Sequence, residues 1–131
     1  MKPILQIATS PGHFVIAKRL MAEEGIEAVE LKFPTVLAFE PDRLVGFLGT
    51  HYQEDLIIAG PLVLQSDYPR FRTALALCEA YEHAMRTMGI KSFIMHVDKG
   101  NIMHQAIERY NPPGLNAYAE DNKRIFYVRS L

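Results

Sequence analysis

Five histidines, His13, His51, His83, His96 and His104, are scattered along the chain. None shows the close spacing that metal ligation needs, so no metal site is expected. The lone cysteine, Cys78, falls on the apolar side of a helical repeat and reads as core. No serine-hydrolase elbow, Walker loop or dinucleotide fingerprint occurs. What remains is proton chemistry and hydrogen bonding. Glu40, His51 and Glu54 fall near the ends of predicted strands. A carboxylate or imidazole there can take a proton, although a solvated loop charge needs no function at all. His96 alternates with Phe93, Met95 and Val97, so it faces the other side of its strand. It reads as a satisfied core or cleft histidine rather than a catalytic one. Tyr110 ends a short helix, where packing with its hydroxyl at the surface accounts for it. Asn101 opens that helix and is first of all an N-cap.

The elements that must position these residues follow from pattern. Pro3 to Ala8 is a short apolar run suited to a strand. Ser10 and Pro11 then suit the cap and first position of a helix. Phe14, Ala17, Leu20 and Met21 recur at helical spacing until Gly25, with Lys18, Arg19 and Glu23 outward. Ile26 to Phe33 fits either a short helix or an edge strand. Thr35–Phe39 and Leu44–Gly49 flank Glu40-Pro41-Asp42-Arg43 as a hairpin. Leu56 to Leu64 is the most apolar stretch and predicts a buried strand, interrupted at Gly60-Pro61 because proline cannot donate to a ladder.

Ala74, Leu77, Cys78, Tyr81, Met85 and Met88 form the apolar stripe of the clearest helix. Glu79/His83 and Glu82/Arg86 sit four apart on its polar side, and Gly89 closes it. Ser92 to Val97 is the next strand. Asn101 to Tyr110 is a short helix stopped by Asn111-Pro112-Pro113-Gly114. Leu115–Tyr118 and Arg124–Ser130 make a final hairpin. The expected order is β-α-(α)-β-β-β-α-β-α-β-β, an α/β chain with a mixed sheet.

Composition sets the outer bounds. The 131 residues suit one domain, 1–131. A formal net charge of −1 gives no reason to expect nucleic acid or a membrane surface as partner. The N-terminus lacks the apolar core of a signal peptide, and no apolar stretch is long enough for a bilayer. With a single cysteine, a reducing, cytoplasmic setting is expected.

The order resembles the GNAT superfamily of acyl-CoA N-acyltransferases over nearly the whole chain, most closely from Thr35 to Tyr110. Val36 to Phe47 is similar to that family's second and third strands. Ala59-Gly60-Pro61-Leu62-Val63-Leu64 stands where its fourth strand splays. Asp67-Tyr68, the following helix and Arg86-Thr87-Met88-Gly89-Ile90-Lys91-Ser92-Phe93 keep register without a gap. Val97-Asp98-Lys99-Gly100-Asn101 is similar to its asparagine-opened helix, and His104 to small phage-encoded members. At the family's pyrophosphate turn (Arg or Gln, two residues, Gly, one residue, Gly or Ala), this chain has Pro69, Arg72 and Ala74; only Ala74 matches.

The resemblance implies a splayed central sheet, acetyl-CoA as cofactor, and transfer of an acetyl group to an amine of a small molecule or protein. It implies that the backbone of Leu62, Val63 and Leu64 pairs with the pantetheine arm. The loop from Tyr68 through Arg70, Phe71, Arg72 and Thr73 to Ala74 would meet the pyrophosphate, Arg70 and Arg72 by side chain, and Asn101 would contact the cofactor. Tyr110 would protonate the leaving thiolate, two residues beyond the family's tyrosine position, which Glu108 holds. Glu54 would be a candidate base. The missing glycines equally suit a non-catalytic protein of the same fold, acting as a binding or assembly factor. The C-terminal hairpin offers a pairing surface for a homodimer.

Overall fold

The computed structural model describes residues 2–68 and 70–131. Its elements are β1 (Ile4–Ile7), α1 (Pro11–Glu23), β2 (Lys32–Phe39), β3 (Leu44–Gln53), β4 (Leu56–Leu64), α2 (Arg70–Thr87), β5 (Ser92–Asp98), α3 (Ile102–Tyr110), β6 (Leu115–Glu120) and β7 (Arg124–Ser130). The strands form one seven-stranded sheet in the order β1-β2-β3-β4-β5-β7-β6. All neighbours are antiparallel except β4 and β5, which run parallel. The crossover between those two is α2, as a parallel pair requires.

Local sequence sets the helix starts. Ser10 is extended and its hydroxyl accepts from the His13 backbone N–H at 3.4 Å, while His13 Nδ1 accepts from the Thr9 N–H at 2.9 Å. α3 repeats the device: Asn101 Oδ1 accepts from His104 N–H at 2.9 Å, and His104 Nδ1 accepts from Gly100 N–H at 2.8 Å. Each cap satisfies a backbone donor that a helix start leaves open, and each histidine ties the residue before the cap to the first turn.

The sheet is covered on both faces. Ala17, Leu20 and Met21 of α1 pack with Leu37, Phe47 and Val63 on one. Leu77, Tyr81 and Met85 of α2 pack with Val36, Val45, Leu48 and Phe93 on the other. This two-sided burial is why β2 and β3 read as continuous apolar runs rather than alternating ones. None of the described helices is long and apolar enough to cross a membrane.

Two expectations are corrected. Residues 26–31 form neither a helix nor a strand; the chain becomes extended only at Lys32. Val29 and Leu31 instead pack individually into the cluster that α1 forms with the sheet, so tertiary contact rather than periodicity shapes the segment. Met88 does not extend the α2 stripe. The helix ends at Thr87, and Met88 is exposed.

Candidate active-site cleft

The parallel pairing of β4 with β5 is registered only at Ile58↔Ile94. On its other edge β4 stays paired with β3 as far as Gly46↔Leu64. From Ala59 to Leu64, then, β4 offers backbone groups toward β5 that no strand answers. The cause is local. Against β3 the partners step from Thr50↔Ala59 to Leu48↔Leu62, so β4 carries one extra residue at Gly60-Pro61. Gly60 has φ +148, a conformation glycine reaches without penalty, and Pro61 has no N–H to pair. A bulge of this kind bends its strand away.

The gap opens into two connected hollows. One of about 520 Å³ is lined by Leu62, Val63, Leu64, Phe71, Ala74 and Asn101. The other, about 330 Å³, is lined by Gly60, Pro61 and His96, with Cys78 and Tyr81 from the α2 side and Ile26 and Arg124 from the opposite side. It therefore passes through the sheet. A hollow of about 580 Å³ between α3 and β6 lies apart from the gap.

Two histidines flank the opening. His51 Nδ1 lies 2.9 Å from the Gly60 carbonyl oxygen. A carbonyl only accepts, so Nδ1 carries the proton and donates. The rings of His51 and His96 meet edge to face at 6.5 Å, and His96 meets Phe126 at 5.9 Å. Burial, then the charges of Arg124 and His51, hold His96 below the usual imidazole range, against an opposing pull from Asp98 and Asp121.

No protein-family model and no curated protein sequence matches the chain. Solved structures do. Ard1 from Thermoplasma volcanium superposes with a TM-score of 0.72 at 15% identity, over 100% of this chain and 99% of that one. The ribosomal-protein-S18-alanine N-acetyltransferase from Escherichia coli gives 0.68 at 13%, over 97% and 94%. The PaiA N-acetyltransferase from Thermoplasma acidophilum, solved in complex with coenzyme A, gives 0.60 at 16%, over 87% and 67%. The chain has the GNAT fold.

Within the GNAT fold the residues expected at the site divide clearly. Leu62, Val63, Leu64, Phe71, Ala74 and Asn101 line one hollow. Thr73 is buried, and Arg72 is exposed in the first turn of α2. Pro69 and the Arg70 side chain lie outside the described residues. Tyr68 donates its hydroxyl to Glu40, tying the loop before α2 to the β2–β3 turn; the Glu40 carboxylate is thereby engaged.

Neither Tyr110 nor Glu54 lines the two hollows of the gap. Tyr110 is 65% exposed at the end of α3, with the Arg109 guanidinium 5.6 Å from its ring centre. It lines a neighbouring recess with Pro112 and Leu115, which shares Phe71, Leu75 and Met103 with the first hollow. Glu54 sits in the β3–β4 turn, before the first residue of β4. At about 3.3 Å per residue, the six residues to Gly60 span about 20 Å.

Sequence reasoning noted His51 and His96 singly and missed that they meet. Only the strand order β3-β4-β5 joins them, and no spacing in the sequence signals it.

Proposed function

We propose that this chain is a single-domain N-acetyltransferase that binds acetyl-CoA in the gap between β4 and β5 and transfers the acetyl group to an amine. The observation that carries this reading is the edge of β4 from Ala59 to Leu64, which no strand pairs on the β5 side. An extended, amide-bearing arm can satisfy such an edge as an added strand would. The residues fit the cofactor at both ends of the arm. Leu62 to Leu64 present the open edge, and the first turn of α2 lines the same hollow at Phe71 and Ala74. A helix start has free N–H groups and a favourable dipole for pyrophosphate. Arg72 adds positive charge in that turn.

Bound in this gap, acetyl-CoA supplies an acyl group already activated as a thioester. The chain's part is to hold the arm, to keep bulk water from the gap with Leu62, Tyr81 and Met95, and to admit an amine from the side of Ile26 and Arg124. That amine belongs to a small molecule or a protein. The coenzyme A bound to PaiA and the S18-alanine substrate of the Escherichia coli enzyme are in keeping with both halves of the reading.

A second reading has one observation behind it. Arg72 stands where the GNAT pattern carries glycine, the residue that lets backbone approach phosphate most closely. A chain that kept the fold and lost the cofactor would act as a binding or assembly factor. Titration with acetyl-CoA separates the two. The first reading expects binding by calorimetry and, at a hundred-fold excess over Kd, about 2.7 kcal/mol of added stability. Arg72→Ala should weaken binding and flatten its salt dependence. No heat and no thermal shift at millimolar acetyl-CoA leaves the second reading.

A further inference from the structure

We infer that His96 is the base that takes the proton from the acceptor amine, an inference that rests on the acetyl-transfer reading of the same gap. Its position follows from register. Ile58 and Ile94 are partners across β4 and β5. Two residues on along each parallel strand stand Gly60 and His96, where the strands begin to part. Both line the hollow that passes through the sheet. Phe93 and Met95, on the alternate positions of β5, turn toward α2. His96 turns to the opposite face, where it meets His51 and Phe126. An arm lying along Leu62 to Leu64 from the start of α2 approaches from one side, and an amine reaching it from the other passes His96.

The ring is equipped for the task. Among the described residues, its contacts are ring edges, His51 at 6.5 Å and Phe126 at 5.9 Å, with no hydrogen bond to either nitrogen. An unengaged imidazole nitrogen beside an open cleft is free to accept a proton. The charged and titratable groups near it are His51 from β3, Asp98 on its own strand, Arg124 from β7 and Asp121 from the β6–β7 turn, with Cys78 and Tyr81 lining the same hollow from the α2 side. Glu82 of α2 also lines the hollow but is engaged by Arg129, at 2.7 and 2.8 Å. Burial and the neighbouring Arg124 and His51 favour the neutral ring, which is the form a base needs near pH 7.

The step balances. A neutral amine attacks the thioester carbonyl, so a C–N bond forms while the C–S bond breaks and its electron pair leaves with sulfur. The proton lost by nitrogen goes to His96, and solvent later removes it from the ring.

Two independent readouts test this, one on the wild-type protein and one on His96→Gln. The first is histidine-selective NMR of the free wild-type protein, which needs no cofactor. The His96 ring should be neutral at pH 7, and an imidazolium at that pH overturns the inference. The second pairs calorimetry with thiol release from acetyl-CoA, using an alanine-starting peptide and 1,4-diaminobutane as acceptor probes. The variant should bind acetyl-CoA within about two-fold of wild type, yet turn over about 10²–10⁴-fold more slowly. It should also lose the acidic limb of the wild-type pH–rate profile. Binding with unaltered turnover and an unchanged acidic limb overturns the role of His96 and leaves acetyl transfer standing. Absence of acetyl-CoA binding by wild type overturns both.

Discussion

The Thr50 hydroxyl has one proton, and it goes to the Pro34 carbonyl at 2.6 Å. Tyr81 lies 2.6 Å from the same Thr50 oxygen and must be the donor in their bond. Both residues are essentially without solvent exposure, so the order of donation decides what each substitution costs. Tyr81→Phe removes one bond and strands nothing; it should cost about 1 kcal/mol. Thr50→Val leaves both the Tyr81 hydroxyl and the Pro34 carbonyl unpaired, and should cost about 2–3 kcal/mol. Urea denaturation of the two variants measures the difference, and equal losses would contradict the assigned direction. Burial also pushes the Tyr81 phenol up to about 12. The unfolded chain therefore loses that proton first, so wild-type stability should fall as pH rises from about 10 toward 12. Tyr81→Phe should remove this contribution. None of this was visible in the sequence, where Thr50 and Tyr81 stand 31 residues apart. The caps at Ser10 and Asn101 were visible, because a cap and its donor are three residues apart. The use of His13 and His104 as return partners was not.

At the scale of elements, α2 does most to hold the sheet. Leu77 is fully buried among Val36, Leu48 and Phe93, and Leu77→Ala should cost about 2–5 kcal/mol. Arg86 reaches Glu82 at 3.7 Å while half exposed, and Arg86→Ala should change stability by no more than about 0.5 kcal/mol. Thermal melts of the pair would reveal whether the helix is held by its apolar face or by surface charge. The apolar face was legible because helical periodicity is a local property that burial then obeys. The polar face was legible only in part. Glu82 and Arg86 do pair, but the principal partner of Glu82 is Arg129 of β7, at 2.7 and 2.8 Å, a contact 47 residues distant. The segment from Ile26 resisted reading for the converse reason: Val29 and Leu31 are placed by the core between α1 and the sheet, not by a repeat of their own.

For the whole molecule, element order and the two hairpin pairings were readable, and the place of β7 in the sheet was not. The bulge at Gly60-Pro61 announced itself through its residue types, and with it the site of the gap. The insertion of β7 between β5 and β6 follows from pairing between distant segments. That arrangement leaves β1 to β4 and β5-β7-β6 as two hydrogen-bonded ribbons, meeting at the single registered position Ile58↔Ile94. Such a seam should make the protein breathe in two pieces. Under native-state hydrogen exchange with low urea, amides of β5, β6 and β7 should follow one opening isotherm and those of β2 and β3 a second, more protected one. An acetyl-CoA arm laid along Leu62 to Leu64 should draw the two isotherms together. A single isotherm in the free protein would mean that α2 and the Glu82–Arg129 clasp already suffice to make the halves open as one.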